Sequence, residues 1–191
     1  MLGFTAARIL LVVHTAIGVS AVAAGTHLVI WLRRYLHGAA GKRRSVLKFA
    51  WIFFALQLGA FGAGNLMYPT YKVEVRSAYL EDAAALSAQA ELHAHAVATL
   101  EAGLDQSRAA PATVELVIRA ASAARWFDVK EHWIALGLFV SGALLFVLSR
   151  WDPHRDGLAI APIAMGLAIL AAATVWLGAI IGVLTAAWRA V

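Results

Sequence analysis

The sequence predicts an all-α protein that crosses a membrane four times as a four-helix bundle, with an extramembrane helical hairpin between the second and third crossings. Three observations lead there. Four apolar runs have membrane-spanning length, charge is scarce and confined between them, and the longest intervening segment carries a helical apolar seam. Of 191 residues, 62% are hydrophobic and 14% charged, against about 25% charged in an ordinary soluble domain. The mean hydropathy is +0.75.

A helix rises 1.5 Å per residue, so roughly 20 apolar residues cross a hydrocarbon core of about 30 Å. The first run, Ile9 to Leu32, holds His14 and His27 but no formal charge. The second, Phe49 to Tyr68, has Gln57 and Asn65 as its strongly polar members. The third, Trp133 to Leu148, is short, with Trp126 and Trp151 placed as interfacial anchors. The fourth, Leu158 to Trp188, is long enough to span with tilt. Glycine and alanine punctuate all four, which allows helices in lipid to approach closely. Arg8, the apolar stretch and Ala21-Val22-Ala23 resemble a cleavable secretory signal, but the run continues to Leu32 and stops at Arg33-Arg34. An uncut first crossing is therefore expected.

Orientation follows from basic residues beside the helix ends. The first connection carries Arg33, Arg34, Lys42, Arg43, Arg44 and Lys48 and no acid, and Arg150 and Arg155 flank the third. Both connections are expected in the cytoplasm. Both termini and residues 69–130 then lie on the other side of what is expected to be a bacterial inner membrane. The same placement explains a pI near 10.0 without nucleic acid as a partner. The expected partners are the lipid bilayer and either other membrane subunits or a second copy of the chain.

The chain divides into residues 1–68 (two crossings and the basic loop), 69–130 (the hairpin) and 131–191 (two crossings). Nine of the eleven acids fall between Glu74 and Glu131. Tyr79, Ala83, Leu86, Ala90, His93, Val97, Leu100 and Leu104 recur at alternating steps of four and three, the spacing of a packed helical seam. Residues 103–108 read as a turn, and Pro111 suits the first turn of a second helix. That helix is free to run into the third crossing. Pro69 marks a kink or a break where the chain leaves the membrane.

Cysteine is absent, which excludes disulfides, thiolate metal sites, iron–sulfur clusters and covalently attached haem. Phosphate loops, dinucleotide fingerprints, serine elbows and HExxH zinc motifs are also missing. The apolar runs hold no carboxylate, lysine or arginine, which weighs against an ion pump or proton-coupled carrier. Candidate chemistry rests on histidine. His14 lies about one and a half turns inside the outer end of the first crossing, where an ionisable group is costly unless it has a task. Two haems stacked along one helix need histidines about four full turns apart, and the 13 residues from His14 to His27 rotate the second by roughly 220°. A paired-haem arrangement is disfavoured; a single haem remains. His132 enters the third crossing level with His14, and Asp128 one turn earlier is placed to orient its imidazole.

The leading expectation is a membrane redox protein or respiratory accessory subunit with one b-type haem near the outer face, held by His14 and His132. Met67 is a substitute ligand, and Gly18 leaves room for a flat macrocycle. It is expected to pass electrons rather than act as a stand-alone enzyme. The first alternative is a non-catalytic subunit or assembly factor that docks a larger complex through the hairpin, with no cofactor. The second is a metal-handling protein that binds a divalent ion through His132, Asp128, Glu131, Glu81, Asp82, His93 and His95. Each histidine also has a plain reading, as a hydrogen-bonded packing residue. The segment Tyr68 to Arg76 reads as an aromatic belt with a polar shoulder, or as a docking place for a partner, a lipid headgroup or a quinone head.

Overall fold

The computed structural model describes residues 4–88, 91–92 and 113–187. Most of those residues are helical, with no strand among them. Four helices are long and apolar enough to cross a membrane: α1 (Phe4–Leu36), α2 (Arg43–Thr70, prolonged by a π-helix, Tyr71–Leu80), α3 (Thr113–Arg150) and α4 (Ala161–Ala187). A one-turn helix, Pro153–Asp156, interrupts the last connection. Large apolar side chains such as Val12, Phe139, Phe146 and Val183 stay exposed on the helix flanks, as expected where the solvent is hydrocarbon.

Helix α1 packs on α2 and α4, and α3 packs on α4 and α2. The packing is uneven along the helices. The main core joins Ala21, Leu28, Leu32 and Tyr35 of α1, Val46 and Phe53 of α2, Val140, Leu144 and Leu148 beyond the middle of α3, and Ala164, Ala168 and Val175 of α4. Most of these lie toward the end that carries the basic connections. In α1 no described residue before Ala21 is buried. At the other end the helices are open on the α1 side, while α3 and α4 stay close at Ile134 and Gly178.

Close approach at the core follows from small residues. A Cβ on Gly25 would stand 2.7 Å from the Phe53 ring, and one on Gly137 would collide with the Thr174 hydroxyl. Gly18 and Gly62, by contrast, face open space. Two side-chain hydrogen bonds cross between helices there: Trp176 Nε1 donates to Thr26 Oγ1 at 3.1 Å, and Ser141 donates to Gln57 Oε1 at 2.7 Å. The Ser141 hydroxyl also lies 2.9 Å from the Leu138 carbonyl, while the buried Gln57 Nε2 has no partner. Ser141→Ala therefore strands a whole buried amide, whereas Gln57→Met leaves Ser141 bonded to Leu138. Reversible unfolding in detergent is expected to cost Ser141→Ala about 1–2 kcal/mol and Gln57→Met under about 0.5 kcal/mol; the reverse order would refute this account.

The basic end is tied by Asp152. It accepts from the Tyr35 hydroxyl at 2.8 Å, pairs with Arg43 at 3.2 Å and caps the one-turn helix at the His154 amide. The Tyr35 hydrogen bond is the main reason its carboxyl lies below the ordinary carboxylate range. Asp156, bonded to Arg155 and to the Asp152 amide, is pushed down to about 2. Trp151 is no interfacial anchor: it is buried, with its indole N–H on the Gly157 carbonyl. The chain leaves this turn through Gly157 at φ +81°, a backbone region that suits glycine.

At the open end the helix does not break at Pro69: it runs through the proline to Thr70 and continues as the π-helix. Proline removes a donor and crowds the carbonyl one turn back, and the π form begins two residues after it. Glu81 N–H bonds the Arg76 carbonyl five residues back, at 2.8 Å. Helix α3 runs unbroken through the expected boundary at 130/131, and its 38 residues extend about 57 Å, well beyond a bilayer core. Leu80 and Leu86 pack on Ala120 and Ala124 of its first turns. His93, His95, the rest of the seam, the turn at 103–108 and Pro111 lie outside the described residues.

Candidate functional site

The unfilled space between the helices at the open end is a cavity of about 780 Å³, within the range of cofactor-sized pockets. Helix α1 supplies Ala7, Arg8, Leu11 and His14. Helix α2 supplies Ala60, Gly64, Asn65 and Met67, its π extension Tyr71 and Glu74, and α3 Phe127, Lys130, Glu131, His132 and Ile134. Three helices thus wall a space that the main core does not reach.

His14 lies ten residues into α1, close to three turns, and is half-buried. Its Nδ1 is 2.9 Å from the Ala60 carbonyl on α2. A carbonyl only accepts, so Nδ1 carries the proton and Nε2 keeps its lone pair. His132 has the same tautomer through its Nδ1, 2.8 Å from a carbonyl one turn back, that of Asp128. His27 and His37 make the same one-turn bond to Ala23 and Arg33, and His27 stacks on Phe49 at 6.1 Å. Among the described residues, His14 is the histidine whose ring is hydrogen-bonded to a different helix.

The orienting group for His132 is the backbone of Asp128, not its carboxylate as the sequence led us to expect. That carboxylate binds Arg76 Nη1 at 2.8 and 3.1 Å, and Arg76 Nε binds Glu81 at 2.7 Å. Tyr71 stacks on Phe127 with centroids 3.9 Å apart. Together these contacts fasten the π-helix to α3 over the cavity rim. The π geometry brings Arg76 and Tyr71 to the same side of α3, and π-helical segments are frequent at functional sites.

Of the expected haem residues, His14, His132 and Met67 line one cavity. Gly18 does not. The small residue beside His14 is Gly64, where an added Cβ would stand 3.5 Å from the imidazole. The metal set is dispersed: Asp128 and Glu81 share Arg76, and Asp82 caps residues 83–88 by accepting from the Ala84 and Ala85 amides. Glu131 lines the cavity with His132. Among the described residues no three histidines or carboxylates stand together as a metal site.

Three contributors were not singled out from the sequence. Lys130 reads there as an ordinary interfacial charge, Arg76 as part of a polar shoulder and Gly64 as one small residue among many. The Arg76–Asp128 pair joins residues 52 positions apart, a relation with no local signature. Comparison with protein-family models, with curated proteins and with solved structures finds no match to this chain.

Proposed function

We propose that the chain is a redox protein, or the haem-carrying accessory subunit of a respiratory assembly. In this reading the four helices form a bundle in a bacterial inner membrane. Both termini and residues 69–130 lie outside the cytoplasm, because Arg33, Arg34, Lys42, Arg43, Arg44, Lys48, Arg150 and Arg155 gather at the opposite end. The cavity then opens toward the outer face and holds one b-type haem between His14 and His132.

The observation that carries the proposal is the meeting of these two imidazoles, from α1 and α3, on one cavity of cofactor size. Each is held at Nδ1 by a carbonyl, the arrangement that fixes a ligating histidine and leaves Nε2 for the iron. Iron held by two imidazoles has no open position, so the group would supply one-electron transfer rather than oxygen activation. The protein's part is to orient both rings, to surround a macrocycle with Tyr71, Phe127, Leu11 and Ile134, and to keep bulk water from it.

Visible spectroscopy tests the proposal. Wild-type protein purified in mild detergent, or titrated with haemin, is expected to show the Soret and split visible bands of a six-coordinate low-spin haem. His14→Ala and His132→Ala are each expected to lose that spectrum, and His27→Ala to keep it. A wild type that stays colourless after haemin titration ends the redox reading.

A further inference from the structure

We propose that Lys130 is the anion anchor of the cavity: it holds a carboxylate of the occupant, which on the haem reading is a propionate. The inference rests on that reading for the identity of the anion, and on the following geometry for the anchor.

Lys130 lines the cavity and is half-buried in α3, one turn before Ile134 and two residues before His132. Its ammonium fits a notch on the facing helix, where a Cβ on Gly182 would stand 3.1 Å from Nζ. It also lies 5.5 Å from the centre of the Phe127 ring and close enough to His14 to act on it electrostatically. None of these neighbours is an anion. Glu131, next in the chain, acts on the ammonium electrostatically but makes no ion pair with it, and Asp128, two residues back and about half a turn round the helix, is committed to Arg76. Among the described residues Lys130 has neither an ion pair nor a hydrogen bond.

An ammonium withdrawn from water without a carboxylate bonded to it directly is costly. The chain could satisfy this cation with one carboxylate at hydrogen-bond distance, as it satisfies Arg76 with two. It does not, although acids are plentiful in the surrounding segment. The missing partner is therefore expected to arrive with the occupant. A propionate of a macrocycle held by His14 and His132 would supply Lys130 with a charge-assisted bond of the strong kind. Gly182 matters because it leaves the ammonium room to stay beside the cavity instead of being driven out to the rim.

The test compares two probes, haemin and its dimethyl ester, which differ in the charge of the propionates. Both are titrated into wild type, Lys130→Met and Lys130→Arg in the same detergent, and the readout is the ratio of the two affinities in each protein. That ratio removes differences in detergent partition and in folding between variants. Wild type and Lys130→Arg are expected to prefer the acid over the ester by about tenfold or more beyond Lys130→Met. The Soret band is expected to persist in Lys130→Met, since the imidazoles are untouched. Equal ratios in wild type and Lys130→Met overturn the anchor while leaving the haem reading intact. A wild type that binds neither probe overturns both.

Discussion

Gly137→Ala is expected to destabilise the protein by about 1–3 kcal/mol, the usual cost of forcing a methyl into a packed core. The new Cβ would collide with Thr174 Oγ1 and stand 2.8 Å from Thr174 Cβ. Turning the threonine side chain relieves the first contact but not the second, because Cβ is fixed to the backbone. Helices α3 and α4 must move apart, and Thr174 is wholly buried between them. Intrinsic helix propensity runs the other way, favouring alanine over glycine by about 1 kcal/mol. A net loss would therefore isolate the packing contribution. The double variant Gly137→Ala, Thr174→Gly moves the small residue to the facing helix and is expected to recover most of the loss. Reversible unfolding in detergent measures both proteins, and additive losses would show that the two residues do not share this contact.

Gly64→Leu is expected to abolish haemin binding, by more than about 100-fold, without lowering thermal stability. The position faces the cavity and meets only the His14 ring, at 3.5 Å, so Gly64→Ala fits as an ordinary contact. A leucine continues past that contact into the space the macrocycle would need, and it presses the imidazole off the Ala60 carbonyl. Filling an empty cavity with apolar volume does not cost the packing energy that creating one does. Loss of binding with unchanged unfolding would separate the cavity from the scaffold. Retained binding in Gly64→Leu would move the occupant away from His14. A large fall in stability would instead make the glycine a packing residue.

Much of the architecture was legible in the residues, because membrane spans depend on summed apolarity rather than on detailed contacts. The run Ile9 to Leu32 lies inside α1, and Leu158 to Trp188 overlaps nearly all of α4. The third crossing was read from Trp133, twenty residues after its helix begins. Asp128 to His132 look like an interface, yet nothing between Thr113 and Trp133 breaks a helix. The response to Pro69 was not legible either. A proline states which backbone bond is lost, but the contacts that the following π-helix makes with Phe127 and Asp128, far along the chain, are not written beside it. The site divides in the same way. His14 stood out by its depth in an apolar run. Gly64 rather than Gly18 depends on the register between α1 and α2, and the isolation of Lys130 depends on where every nearby carboxylate goes. Those are relations between helices, which a single sequence does not display.

The uneven closure of the helices has a consequence for selectivity. A pocket in a water-soluble protein gains affinity for any greasy compound by releasing ordered water. Here the competitor for the vacant half is an acyl tail, as apolar as the entrant, so greasiness alone confers little advantage. Choice must then fall to the few fixed dipoles and charges on the walls, His14, His132 and Lys130 among them. On the haem reading, a chamber built this way would admit many molecules weakly and retain the one whose lone-pair acceptor and negative rim match that sparse set.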